Sequence, residues 1–233
     1  MAAGIYIAGT DTDVGKTAVA MAVLRQLVTA GSNCRAYKPV ASGVQPNQSD
    51  PEQLWQAAGC PGELADVCPQ AFQAAIAPEQ AARAEGRRVD EQLLRQGIVP
   101  HLVGELIVVE GAGGLFSPLG PTTLNADLAC DLGLPVVVVD AARLGLIGRT
   151  LATVTAAQAV GLTVAAVVIS ETAALAETGP AHHPDSPVSI ATASLADLRR
   201  RLPKLPIGWL GHRADRIEPP IDWGRLAATV RPR

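Results

Sequence analysis

An aliphatic run that stops at a glycine-bearing loop, passes Gly-Lys-Thr and restarts as a helix leaves a chain few folds to choose from. Here residues 5–8 (Ile-Tyr-Ile-Ala) lead into Gly9-Thr10-Asp11-Thr12-Asp13-Val14-Gly15-Lys16-Thr17. Residues 17–30 then read as a helix ending at Gly31. A strand before such a loop and a helix after it is the context of a phosphate-binding loop, with backbone amides and the helix N-terminus receiving the polyphosphate. Lys16 supplies a cation near the terminal phosphates, and the Thr17 hydroxyl suits Mg²⁺. The strict G-x-x-x-x-G-K-[ST] pattern is missed by one residue, since Thr10 stands where its first glycine belongs and Gly9 comes one position early.

The rest of the chain repeats the strand, loop and helix unit. Further strands are expected at residues 35–40, 106–109, 136–139, 164–169 and 207–210, and helices at 51–58, 90–105, 147–160 and 194–202. Several strands are unbroken aliphatic runs, as when helices cover both faces of a sheet. The alternation predicts one α/β domain over residues 1–233, a doubly wound and mostly parallel sheet with helices on both faces. Residues 173–187, with Gly179 and the pair His182-His183, read as a surface loop.

Composition narrows the function. With 48% apolar and 18% charged residues, the chain is too apolar to be disordered. A net charge of −3 and 3% aromatics argue against a nucleic-acid surface. Residues 150–170 are uncharged, but they read as an amphipathic helix, a glycine cap at Gly161 and a buried strand, not as a membrane span. Cys34, Cys60, Cys68 and Cys130 lack metal-ligand spacing and read as the reduced thiols of a cytoplasmic protein.

A phosphoryl-transfer site needs an acidic metal ligand at a neighbouring strand end. Two acids compete. Glu110 follows residues 106–109 and precedes Gly111-Ala112-Gly113-Gly114, whereas Asp140 follows residues 136–139. Glycines allow a ligand to approach the backbone closely, which favours Glu110. Lys38, in Tyr37-Lys38-Pro39-Val40-Ala41-Ser42-Gly43, sits among apolar neighbours at a strand end. Such a lysine either snorkels to the surface or neutralises anionic chemistry.

Together, GTDTDVGKT (residues 9–17), YKPVASG (37–43) and VEGAGG (109–114) resemble the dethiobiotin synthetase family, with weaker similarity through residues 134–150. The resemblance covers most of residues 4–170. It implies ATP-dependent conversion of 7,8-diaminopelargonate and CO₂ to dethiobiotin, through an N-carbamate and a carbamic–phosphoric anhydride. It implies that Lys16 and Lys38 stabilise phosphoryl charge, that Thr12 and Ser42 hydrogen-bond the reacting groups, and that Thr17, Asp50 and Glu110 hold Mg²⁺. Asp50 otherwise reads as an N-cap for the helix that follows. Asp13, Val14, Gly15 and Ala18, with Gly111, Ala112 and Gly113, are implied to surround the nucleotide, Gly113 also touching substrate. Asp140 has no metal role in the family. Finally, the resemblance implies a homodimer in which Leu146, Ile147 and Gly148 of one copy receive the substrate's distant carboxylate in the other. Only small-molecule substrates are expected as ligands.

The base-reading positions depart from the family. Where an asparagine is common after the fifth strand, this chain has Ser170-Glu171-Thr172, and the later base loop is Gly208-Trp209-Leu210-Gly211-His212. Ser170, Glu171, Leu210, Gly211 and His212 are expected at the base, with relaxed base selectivity. A regulatory P-loop ATPase of the partitioning type is the alternative reading. Those proteins carry a lysine five residues before Lys16, where this chain has Asp11.

Overall fold

A computed structural model describes residues 2–45, 49–104, 106–175 and 186–229. The chain opens with β1 (Ala3–Gly9), α1 (Lys16–Thr29) and β2 (Cys34–Tyr37), then α2 (Asp50–Ala57), α3 (Leu64–Val67), α4 (Pro78–Ala84) and α5 (Glu91–Gln96). There follow β3 (Leu106–Gly114), α6 (Asn125–Leu132), β4 (Val136–Ala141), α7 (Leu146–Ala159), β5 (Val164–Ser170) and α8 (Pro187–Arg201). The last elements are β6 (Ile207–Leu210), β7 (Ile217–Glu218), α9 (Trp223–Leu226) and β8 (Ala228–Thr229).

The strands form one sheet in the order β2-β3-β1-β4-β5-β6-β7, with β8 antiparallel against the start of β1. β2 to β6 and β1 run parallel, and β7 turns back antiparallel on β6. The strand order reverses at β1, so a crevice opens at its carboxyl end, where such sheets bind ligands. The unbroken aliphatic runs divide by alternation. Ile5, Ile7, Val137 and Val139 pack with α1 and α2 on one face, whereas Tyr6, Ala8, Val136 and Val138 pack with α6 and α7 on the other.

Four expectations are corrected. The strand at 35–40 ends at Tyr37, because Lys38 N–H bonds Val67 O (2.7 Å) and Pro39 has no N–H to give the ladder. The helix over 90–105 breaks into α5 and a 3₁₀ segment, Val99–Val103, with Pro100 inside it. Gly97 marks the break, for a Cβ there would lie 2.5 Å from the Tyr37 hydroxyl. The helix at 194–202 starts earlier, at Pro187, because the Ser186 side chain accepts from Ser189 N–H and caps it. Ser49, not Asp50, caps α2 in a capping box with Glu52, which leaves the Asp50 carboxylate free for other partners. The pair His182-His183 lies outside the described residues. Residues 150–170 form α7 and β5, and no described helix is long and apolar enough to cross a membrane.

Candidate active site

The loop after β1 is built by local constraint. A Cβ on Gly9 would fall 2.5 Å from Asp11 O, so only glycine lets the loop turn here. Asp13 and Gly15 take left-handed conformations (φ 56° and 89°), which curl the loop around a concavity. Gly15 is the N-cap of α1 and no side chain caps it, so the helix's first amides remain for an anion. Lys16 folds back, its Nζ donating to Asp11 O at 3.2 Å. Val14 is fully buried and anchors the loop in the core rather than facing a ligand.

Under this loop four side chains converge. Glu110, 1% exposed, accepts at Oε1 from Lys38 Nζ (2.5 Å) and Thr17 Oγ1 (3.0 Å). Lys38, 4% exposed, also donates to Asp50 Oδ2 at 2.9 Å. Burial works against the Lys38 ammonium, but the charges and hydrogen bonds of Glu110 and Asp50 outweigh it and raise its pKa above the ordinary lysine value. Asp50 is drawn the other way: burial raises its pKa, yet the Lys38 charge and hydrogen bond hold it below the usual carboxylate value. Burial lowers the pKa of Lys16, with only partial opposition from Glu110.

Glu110 Oε2 is buried and has no hydrogen-bond partner among the described residues. An orphaned carboxylate oxygen in such a place calls for a cation or donor that enters with a ligand. Among the described residues no cluster of three or more His, Cys, Asp or Glu side chains could cage a metal. The donors present are two carboxylates and the Thr17 hydroxyl, a hard oxygen set that fits Mg²⁺ shared with phosphate and water.

These groups line a cavity of about 560 Å³ that also includes Thr12, Asp13, Gly15, Ala18, Ala41, Ser42, Ala112 and Gly113. A second cavity of about 470 Å³ shares Thr12, Asp13, Ser42, Ala112 and Gly113 and continues past Ala75, Ile76, Pro78 and Ser117. Ser42 is held at the junction by backbone bonds from its neighbours, Ala41 N–H to Gln70 O (2.9 Å) and Gly43 N–H to Ala74 O (3.0 Å). Gly111 does not line either cavity; a Cβ on it would run into Asn125 and the Tyr6 hydroxyl instead.

The far wall of the first cavity comes from Ser170, Glu171, Thr172, His212 and Arg213. Glu171 ties two elements together, accepting from Trp209 Nε1 and His212 N–H, both at 3.0 Å. Of the expected base contacts, Ser170, Glu171 and His212 lie on this wall. Leu210 is buried in the core and Gly211 is off the lining. Thr172, Arg213 and Ala41 are lining residues that the sequence does not single out; Arg213 lies in the turn between β6 and β7. Leu146, Ile147 and Gly148 line neither cavity. They open α7, whose N-cap, Gly145 (φ 88°), carries no side-chain cap, next to Leu144 at 81% exposure.

Asp140, the other acid, is fully buried and lines neither cavity. It accepts from Thr10 Oγ1 (2.7 Å), its neighbour Ala141 N–H (2.8 Å), Arg149 Nε (3.0 Å) and Thr150 Oγ1 (3.1 Å).

Sheet, loop and converging charges define a P-loop nucleotide-binding protein. The cell division protein FtsY of Thermotoga maritima shares the fold, with a TM-score of 0.51 at 14% identity over 97% of this chain and 67% of that one. Residues 3–203 match a family model described as an AAA domain. The ATP-dependent dethiobiotin synthetase BioD of Anaeromyxobacter sp. (strain K) is 41% identical over 88% of this chain and 90% of its own length. Its counterparts in Caulobacter vibrioides (40%; 72% and 79%) and Rhodopirellula baltica (36%; 73% and 73%) are also similar. The chain belongs to the dethiobiotin synthetase family.

Proposed function

We propose that this protein makes dethiobiotin from 7,8-diaminopelargonate, CO₂ and ATP, releasing ADP and phosphate. The observation that carries the reading is the convergence of Lys16, Lys38, Thr17, Asp50 and Glu110 in a cavity that opens into a second one at Thr12, Ser42 and Gly113. One compartment fits a triphosphate and the other an elongated diamine, with the reacting groups meeting at the junction.

One amine adds to CO₂ and loses a proton, giving a carbamate. A carbamate oxygen then takes the γ-phosphoryl group, and ADP leaves. The second amine attacks the activated carbonyl, expels phosphate and closes the five-membered ring. Each species is anionic, so the demand on the protein is fixed positive charge. Lys38 is held in place by two carboxylates and Lys16 by the loop itself, and both stabilise spreading phosphoryl charge without covalent chemistry. The Thr12 and Ser42 hydroxyls supply hydrogen bonds at the carbamate. Thr17, Glu110 and Asp50 are the residues that would hold Mg²⁺, which when bound would supply positive charge to the phosphate oxygens.

The active form is proposed to be a cytoplasmic homodimer. The start of α7 lines neither cavity in its own chain, and a helix N-terminus is a sound receptor for a carboxylate held by another copy.

The test is an assay of purified protein with 7,8-diaminopelargonate, bicarbonate and Mg-ATP. ADP and dethiobiotin should appear in equal amounts, and omitting the diamine should stop ATP cleavage. Turnover that ignores the diamine and responds to DNA or lipid instead would overturn the reading in favour of a regulatory ATPase.

A further inference from the structure

The phosphate loop and the start of α7 meet on one buried carboxylate. Thr10, the residue standing where the strict loop pattern has glycine, donates its hydroxyl to Asp140 Oδ1 at 2.7 Å, while its own N–H bonds Val139 O at 2.9 Å. The same Oδ1 receives Arg149 Nε from the first turn of α7. The other oxygen receives the buried Thr150 hydroxyl, one residue along. The remaining Arg149 nitrogens reach back to Leu144 O (3.0 Å) and Ala141 O (3.3 Å), so one guanidinium holds both ends of the segment leading into α7. A second, exposed link runs the same way, Arg143 lying 4.0 Å from Asp11.

We infer that Asp140 is a positioning residue that couples nucleotide binding at residues 9–17 to the order of residues 141–149, with Thr10 and Arg149 as its two arms. A buried carboxylate whose acceptors are all engaged has few alternative arrangements, because any shift of one donor strands a charge in the interior. Fixing Thr10 by closing the loop on a polyphosphate therefore lowers the freedom left to Arg149 and to the backbone it clamps. The coupling is reciprocal by linkage: whatever orders the start of α7 tightens the phosphate loop. It rests on the proposed function only in naming the second ligand, since α7 is there assigned to the substrate's distant carboxylate.

Amide hydrogen exchange on the full chain, with and without a non-hydrolysable Mg-ATP analogue, tests this without the second substrate. In the unaltered protein the analogue is expected to slow exchange at residues 144–149, which line neither cavity, by about fivefold or more. Thr10→Val should abolish that slowing while the analogue still protects residues 13–18, and Thr10→Ser, which keeps the hydroxyl, should retain it. Arg149→Lys, which keeps the charge but loses the fork, should abolish it from the other side. A role confined to stability would alter exchange equally with and without the analogue. Undiminished slowing in a folded Thr10→Val or Arg149→Lys protein, or none in the unaltered one, overturns the inference. If the unaltered protein makes no dethiobiotin, the proposed function fails while the exchange measurement still decides the coupling.

Discussion

Glu110 and Asp140 end the aliphatic runs of β3 and β4, the strands on either side of β1, and both are cut off from solvent. Glu110 lies opposite Ile7, whereas the residue before Asp140 lies opposite Gly9. Asp140 thus stands against the root of the phosphate loop, and Glu110 stands lower, beneath Lys16 and Thr17. Asp140 has donors on both oxygens, from three elements. Glu110 places two donors on one oxygen and leaves the other bare. Burial and residue type do not distinguish a working acid from a structural one. What sets Glu110 apart is an oxygen left without a donor among the described residues, on a side chain that lines the cavity.

The difference is broken most severely at Lys38. Lys38→Gln is expected to lower dethiobiotin formation about a thousandfold, the equivalent of about 4 kcal/mol of lost charge stabilisation in the transition state. The rate is to be taken per folded molecule, since the change also strands Glu110. Near-normal turnover by a folded variant would reduce Lys38 to a structural lysine. Glu110→Gln keeps the shape and removes the charge, and should cost about a hundredfold; Lys38 keeps Asp50 as a charged partner, so the fall in melting temperature should be smaller than for Asp140→Asn.

Asp140→Asn should show the reverse pattern. It uncouples a buried carboxylate from Arg149, a loss of about 3 kcal/mol. For a chain of this length that lowers the melting temperature by on the order of 10 °C. Thermal scans of the Glu110→Gln and Asp140→Asn proteins, set beside their rates, should rank the two variants in opposite orders. The same ranking in both measurements would erase the distinction.

At the base end a smaller effect is expected. Ser170 and Glu171 offer no side-chain amide, and the Glu171 carboxylate is already engaged by Trp209 and His212. A missing bidentate reader removes about 1–3 kcal/mol of discrimination, so rates with ATP, GTP and CTP should fall within about tenfold of one another. A strong preference for ATP alone would mean that Thr172 or Arg213 reads the base.

The contrast also marks what local sequence can reveal. The phosphate loop is legible because strand, turn and helix are contiguous and each step has its own residue chemistry, from Gly9 to Lys16 and Thr17. The aliphatic strands are legible because two-sided burial removes polar residues from them. The choice between Glu110 and Asp140 leaned on the glycines that follow Glu110, yet Gly111 packs on Asn125 rather than on a ligand. What separates the acids is Thr10, 130 residues from Asp140, and Lys38, 72 residues from Glu110. Asp50 lay hidden behind its neighbour Ser49, which takes the capping role. His212 and Arg213 reach the cavity wall from the turn before a two-residue strand, β7, too short to leave a periodic signal.

The smallest effect concerns protons. Of the two lysines over Glu110, Lys16 is the one whose proton is loosened. Burial, against a weaker pull from Glu110, holds Lys16 below the ordinary lysine value in the free protein, whereas Lys38 is raised. A polyphosphate favours the charged ammonium, so binding must raise the Lys16 pKa. Sign follows from linkage: where Lys16 is partly deprotonated, nucleotide binding takes up a fraction of a proton, and affinity weakens as pH rises. Calorimetric titration of the ATP analogue on the alkaline side, in buffers of different ionisation enthalpy, should show uptake of less than about one proton. Lys16→Arg should abolish the uptake and flatten the affinity profile, because a guanidinium stays charged throughout. Release of a proton, or uptake that survives Lys16→Arg, would move the titrating group away from the loop and toward the Lys38 cluster.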